Sequence, residues 1–162
     1  NRRFVKFLLA RMTAWCERQA GMSSSFVTYY EPVSGKPFEV EHIWADKFAR
    51  HQDEFEQEHE FQNYRNRLGG LVLLPRGTNQ SYGDQPYENK KAHYIKENLL
   101  VKSLCPLAYD NNPNFLKLRK VLNLPFKPHD TFKKADIEAR QELYRMICER
   151  IWPESLVDME PV

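Results

Sequence analysis

Two short extended segments, far apart in the chain, restrict the fold more than anything else in it. Phe38-Glu39-Val40-Glu41-His42-Ile43 alternates apolar and polar residues as a half-buried strand does. Leu71-Val72-Leu73-Leu74 is a compact apolar strand, closed by Pro75 and a turn at Arg76-Gly77-Thr78-Asn79. A helix should follow, capped by Asp84 with Pro86 near its first turn and running through Tyr87, Lys90, Tyr94 and Leu99. The expected fold class is α+β, a mostly helical domain around a small strand, strand, helix core.

The helical surroundings follow from periodicity. Phe4, Val5, Leu8, Leu9, Met12 and Trp15 recur at helical spacing up to Gly21, a fitting C-terminal stop. A Ser-rich connection broken by Pro32, Gly35 and Pro37 comes next, with a short extended piece at Phe26 to Tyr30. Between about His51 and Arg67 a polar stretch puts Phe55, His59, Gln62 and Arg65 or Asn66 on one face of a surface helix, with His51 and His59 exposed. A short helix around Phe115 to Leu122 precedes a final one, capped near Asp130 or Thr131, that carries Ile137, Tyr144, Ile147 and Ile151 and ends at Trp152-Pro153. The organisation expected is one domain over 1–162: a flanking helix at 1–21, a core at 38–100 with a helical insertion at 46–67, and C-terminal helices at 106–162. A chain that opens on Asn1 and enters a helix at once reads as a fragment of a longer protein.

Composition narrows the function classes. A hydrophobic content of 41% suffices for a buried interior, and no apolar run approaches the roughly 18 residues of a membrane span. A soluble, cytoplasmic protein is the expectation. Cys16, Cys105 and Cys148 are odd in number and lie far apart, which argues against a disulfide framework and against a zinc knuckle. The net charge of +2 is too small to announce a nucleic-acid protein, but lysines load the second half of the chain while acids crowd Asp53 to Glu60.

The chemistry gathers on the strand ends. Hydrolysis of a phosphodiester needs a proton acceptor for water, positive charge on the phosphate oxygens and help for the departing oxygen. His42 is a natural base near neutral pH. Glu41 and Asn79 offer hard oxygens suited to one Mg²⁺ or Mn²⁺, with coordination positions left for water and phosphate. Consecutive strand residues face opposite ways, so Glu41 and His42 can serve one site only if the strand twists or ends there. Lys90, in the following helix, is placed to reach a phosphate oxygen, with Lys91, His93 and Arg76 as further substrate contacts.

Glu41-His42-Ile43, the run Asn66-Arg67-Leu68-Gly69-Gly70-Leu71-Val72-Leu73-Leu74, Asn79 and Pro86-Tyr87-Glu88-Asn89-Lys90 together resemble the HNH (His-Me finger) nuclease domain at the C-terminal end of GmrSD-type restriction and phage-defence proteins. The flanking helices are similar as well, so the resemblance covers most of the chain. It implies a ββα-metal unit with Glu41 as acidic metal ligand, His42 as general base, Asn79 as second metal ligand and Lys90 as the helix lysine. It further implies a DNA endonuclease that nicks, in a prokaryotic antiviral system, attached to an N-terminal nucleotide-hydrolysing sensor region. Where the family strand commonly reads Gly-Asn-Leu this chain has Gly70, and Asn66 or Asn63 is the substitute brace; Trp44 follows the His-Ile segment instead of the usual Pro. The alternative is a catalytically silent DNA-binding or regulatory module on the same scaffold.

Overall fold

A computed structural model describes residues 1–31 and 35–154. Pro32 of the expected connection and the tail 155–162 of the expected C-terminal segment lie outside the described residues. In chain order the elements are α1 (Arg2–Gln19), α2 (Phe26–Tyr30), β1 (Phe38–His42), α3 (Glu58–Arg65), β2 (Leu71–Pro75), α4 (Arg76–Tyr82), α5 (Tyr87–Tyr94), α6 (Leu99–Lys102), α7 (Pro113–Leu122) and α8 (Lys134–Ile151), with short 3-10 turns between. The fold is α+β and mostly helical. No described helix is long and apolar enough to cross a membrane.

The hairpin divides the interior. β1 and β2 pair antiparallel with Glu41 opposite Val72 and His42 opposite Leu71. Side chains alternate across a strand, so Leu71 and Leu73 enter one apolar cluster and Val72 and Leu74 the other. Both faces of β2 are covered, and the strand is therefore apolar without a break. The first cluster is built with Leu9 and Met12 of α1, Leu100 of α6, Phe115 and Leu118 of α7, and Tyr144 and Ile147 of α8. The second holds Ile43, Trp44, Phe55, Phe61, Tyr87 and Tyr94. Among the described residues no third strand pairs with the outer edge of β1.

The approach of α8 to this hairpin requires glycine at one position. A Cβ on Gly69 would lie 2.5 Å from the backbone of both Gln141 and Ile137, well inside van der Waals contact. Without it, Gly69 N–H donates to Gln141 Oε1 at 2.7 Å and the turn before β2 sits directly on α8. The same turn carries the end of α3 toward β1, which matters for the site.

Several local expectations are corrected. Phe26–Tyr30 is helical, not extended: Ser25 Oγ caps it by accepting from Val27 N, and its aromatic rings pack on Phe7 of α1. Arg76–Tyr82 is a helix instead of a turn, held at its start by bonds from Arg76 and Asn79 to Glu39. The polar stretch 51–67 is helical only over Glu58–Arg65, and Phe61 is its buried residue. His51 is half-buried, stacked on Phe61 and tilted against Trp44, because the aromatic cluster reaches out to it; His59 is exposed. Asp84 does not cap α5, which stops at Tyr94, and Asn98 caps α6 while its amide reaches Leu73 O. α8 begins at Lys134, where the Asp136 carboxylate accepts both Lys133 N–H and His129 Nδ1 at 2.7 Å.

Candidate functional site

At the open edge of β1 lies a cleft of about 280 Å³ bordered by Glu41, His42, Asn79, Arg65, Asp46, Asp84 and Arg2. Alternation still sends Glu41 and His42 to opposite faces. They share the cleft because β1 ends at His42 and its free edge looks into the space between the ends of α1, α3 and α4.

His42 is half-buried, and its Nε2 is 2.8 Å from Asn66 Oδ1. Asn66 Nδ2 donates to the Gln62 carbonyl at 2.8 Å, so the amide must present its oxygen to the ring. Nε2 therefore carries the hydrogen, and Nδ1 keeps its lone pair, with no hydrogen-bond partner among the described residues. Burial holds the imidazole below its ordinary value, with Arg65, Lys90 and Arg2 acting the same way and the Asn66 bond opposing them. A neutral, oriented imidazole is what a proton acceptor requires.

Glu41 is only 3% exposed although it sits on a polar-looking strand. Its Oε1 accepts Lys90 Nζ at 2.7 Å and Tyr94 Oη at 3.3 Å. Burial pushes the Glu41 carboxyl up and the Lys90 ammonium down, and the attraction between them opposes both shifts. Oε2 accepts no hydrogen bond among the described residues, and since Arg140 Nε is the one sealed side-chain polar atom there without a partner, Oε2 keeps contact with solvent in a residue that borders the cleft. Asn79 is oriented by its Nδ2, which donates to Glu39 Oε2 at 3.2 Å. Its Oδ1 accepts nothing among the described residues.

A carboxylate oxygen and an amide oxygen are the donor chemistry that a hard divalent cation takes, its remaining ligands being water and phosphate. Among the described residues no three His, Cys, Asp or Glu side chains form a metal cluster by themselves.

Lys90 is a correction. Expected to reach a phosphate oxygen, it has none of its side chain exposed, and its ammonium donates to Glu41 Oε1, to His42 O at 3.0 Å and to Ile43 O at 3.2 Å. All three protons are used, so Lys90 positions the end of β1 and cannot meet substrate. Lys91 and His93 do not border the cleft either: Lys91 is paired with Asp130 at 3.0 Å, and His93 stacks on Tyr82 at 3.6 Å between ring centres. Arg76 lines a neighbouring groove with Arg2, Arg3 and Lys6, and is bonded to Glu39 at 2.8 Å.

Residues that carry no sequence motif complete the cleft. Arg65 donates through Nε to Trp44 O at 3.0 Å, and Asp46 accepts Gln62 Nε2 at 2.6 Å. Only the packing of the end of α3 beside β1 brings them in. Of Asn66 and Asn63, the two candidates for a brace, Asn66 is the one bonded to His42.

The family model that matches places this chain in the class of restriction endonuclease domains. The model of the family described as GmrSD restriction endonucleases, C-terminal domain, matches residues 5–147, and the chain belongs to that family. No curated protein and no solved structure matches it.

Proposed function

We propose that the domain is an HNH (His-Me finger) endonuclease that hydrolyses DNA phosphodiester bonds, one strand at a time, with one Mg²⁺ or Mn²⁺. The observation that carries this reading is the convergence of a neutral, braced imidazole and two unpartnered oxygens, Glu41 Oε2 and Asn79 Oδ1, on one cleft at the open edge of a strand, strand, helix unit.

In this mechanism His42 Nδ1 takes a proton from water. The water oxygen forms a bond to phosphorus, the bond from phosphorus to the 3′ oxygen breaks, and that oxygen takes a proton from solvent. Glu41 and Asn79 would hold the cation, which supplies positive charge to the phosphate oxygens and the departing 3′ oxygen. Lys90 fixes the Glu41 carboxylate and the two carbonyls at the end of β1, so that His42 and Glu41 keep their relation to each other. Asn66 fixes the ring. A single site of this kind cuts one strand. The wider setting we infer is a restriction system in which this domain is the effector of an N-terminal nucleotide-hydrolysing sensor region.

Supercoiled plasmid incubated with Mg²⁺ or Mn²⁺ tests this. Wild type should convert it to open circles, and His42→Ala should leave it supercoiled. Equal failure of both proteins, with both still shifting the plasmid in a gel, would assign the scaffold to DNA binding without catalysis.

A further inference from the structure

Arg65 differs from every other cation near the cleft in how it is held. Its Nε is anchored to the Trp44 carbonyl at 3.0 Å, at the end of the segment that leaves β1, and this fixes the plane of the guanidinium. Neither of its two Nη groups makes a hydrogen bond, and no carboxylate lies within salt-bridge distance of them, among the described residues. The side chain is nevertheless only half exposed and borders the same cleft as His42, Glu41 and Asn79. Burial lowers its affinity for its proton, and the nearby charges of Asp46 and Glu41 act against that effect. A guanidinium partly removed from water, oriented and without an anion of its own has room for one that arrives with a ligand. Its four Nη hydrogens form a fork that matches two oxygens of one phosphate.

Resting on the nuclease reading above, we propose that Arg65 contacts the phosphate being cut, binding its non-bridging oxygens as negative charge builds on them. Lys90, the cation that the sequence points to for this task, is sealed beneath the strand. The anchoring bond of Arg65 runs to the residue two past His42, so the cation and the base are set by the same short stretch of backbone.

Two readouts on Arg65→Ala test the assignment, with Arg65→Gln measured beside it in case the alanine variant does not fold. The first is the single-turnover rate of plasmid nicking, expected to fall about 100-fold, as for removal of one preorganised donor to a developing oxyanion, with partial recovery in Arg65→Lys. The second is the salt dependence of binding to a short duplex in Ca²⁺, where the slope of log K against log salt should shrink by about 0.9 for one phosphate no longer neutralised. A folded variant that nicks like wild type, or whose slope is unchanged, overturns the proposal. If wild type itself leaves plasmid intact while Arg65→Ala lowers the slope, Arg65 stands as a phosphate contact and the nuclease reading is what fails.

Discussion

The side-chain carbonyl of Asn66 accepts the Nε2 hydrogen of His42 at 2.8 Å, and through it the end of α3 governs which ring nitrogen is free. Gly70 stands where the family resemblance expects an asparagine, and the space there admits little: a Cβ on Gly70 would already be 3.1 Å from Arg65 O. Asn66, one turn of backbone earlier, supplies the carbonyl. Its side chain is exposed, so removing it costs little packing and acts on the ring.

Asn66→Ala should therefore lower the nicking rate about 100-fold by letting the imidazole turn away from its working geometry, with a melting temperature close to wild type. Asn66→Asp keeps an acceptor for Nε2 and should recover much of the rate. Plasmid nicking by the three proteins decides it. Equal rates for wild type and Asn66→Ala would remove Asn66 from the site.

Lys90 and Glu41 form a buried pair in which each charge is tolerable only with the other present. Lys90→Met leaves the Glu41 carboxylate with Tyr94 Oη as its remaining donor, and should destabilise the domain by about 3–5 kcal/mol. Adding Glu41→Gln removes the stranded charge and should restore part of that stability without restoring nicking. Urea denaturation of the wild type, both single variants and the double variant measures the coupling. Additive effects would mean that the pair is not a unit.

How much of the fold is legible in the sequence depends on the range of the signal. β1 and β2 are readable because alternation and a bounded apolar run are local, and α8 because its apolar face repeats over a long helix. Arg76–Tyr82 reads as a turn since Gly77 and Asn79 are turn formers in isolation; the contacts that make it a helix go to Glu39, many residues away. His42, Glu41 and Asn79 stand out as a motif. The burial of Lys90 does not, because a lysine on a polar helix normally faces water and only the assembled hairpin shows that it lies beneath β1. Arg65 and Arg2 escape for the same reason, and the basic surface beside the cleft comes from the start of the chain, not from the lysine-rich second half.

His129 offers a check on stability alone. It is buried beside Phe132, and its Nδ1–H donates to Asp136 at the start of α8. Burial is the main cause that brings its pKa down from 6.5 to about 4. The unfolded chain takes up this proton as pH falls through about 6.5 while the folded domain resists until about 4, so its contribution is complete above the first value and gone below the second. About 3 kcal/mol should disappear across that window. Comparing urea midpoints from about pH 7 to about pH 4.5 for wild type and His129→Gln measures it, and the variant should show the shallower decline. Parallel curves would show that other groups carry the acid sensitivity.

The groove beside the cleft predicts how substrate is held. Arg2, Arg3 and Lys6 of α1 and Arg76 of α4 line about 320 Å³ of space that meets the cleft at Arg2 and Val40. Among the described residues, Arg2, Arg3 and Lys6 have no carboxylate within salt-bridge distance, while Arg76 is paired with Glu39. Unpaired cations on a groove continuous with the proposed scissile position suit the phosphates flanking it. Arg3→Ala combined with Lys6→Ala should weaken binding to every duplex alike and reduce the slope of log K against log salt by about 0.9 for each phosphate no longer neutralised. Because these side chains do not border the reacting atoms, the nicking rate at saturating DNA should stay near wild type. Fluorescence anisotropy over a salt series reads the first effect and plasmid nicking the second. An unchanged slope would place the DNA on another face, whereas a collapse of the saturated rate would make the groove part of the catalytic machinery.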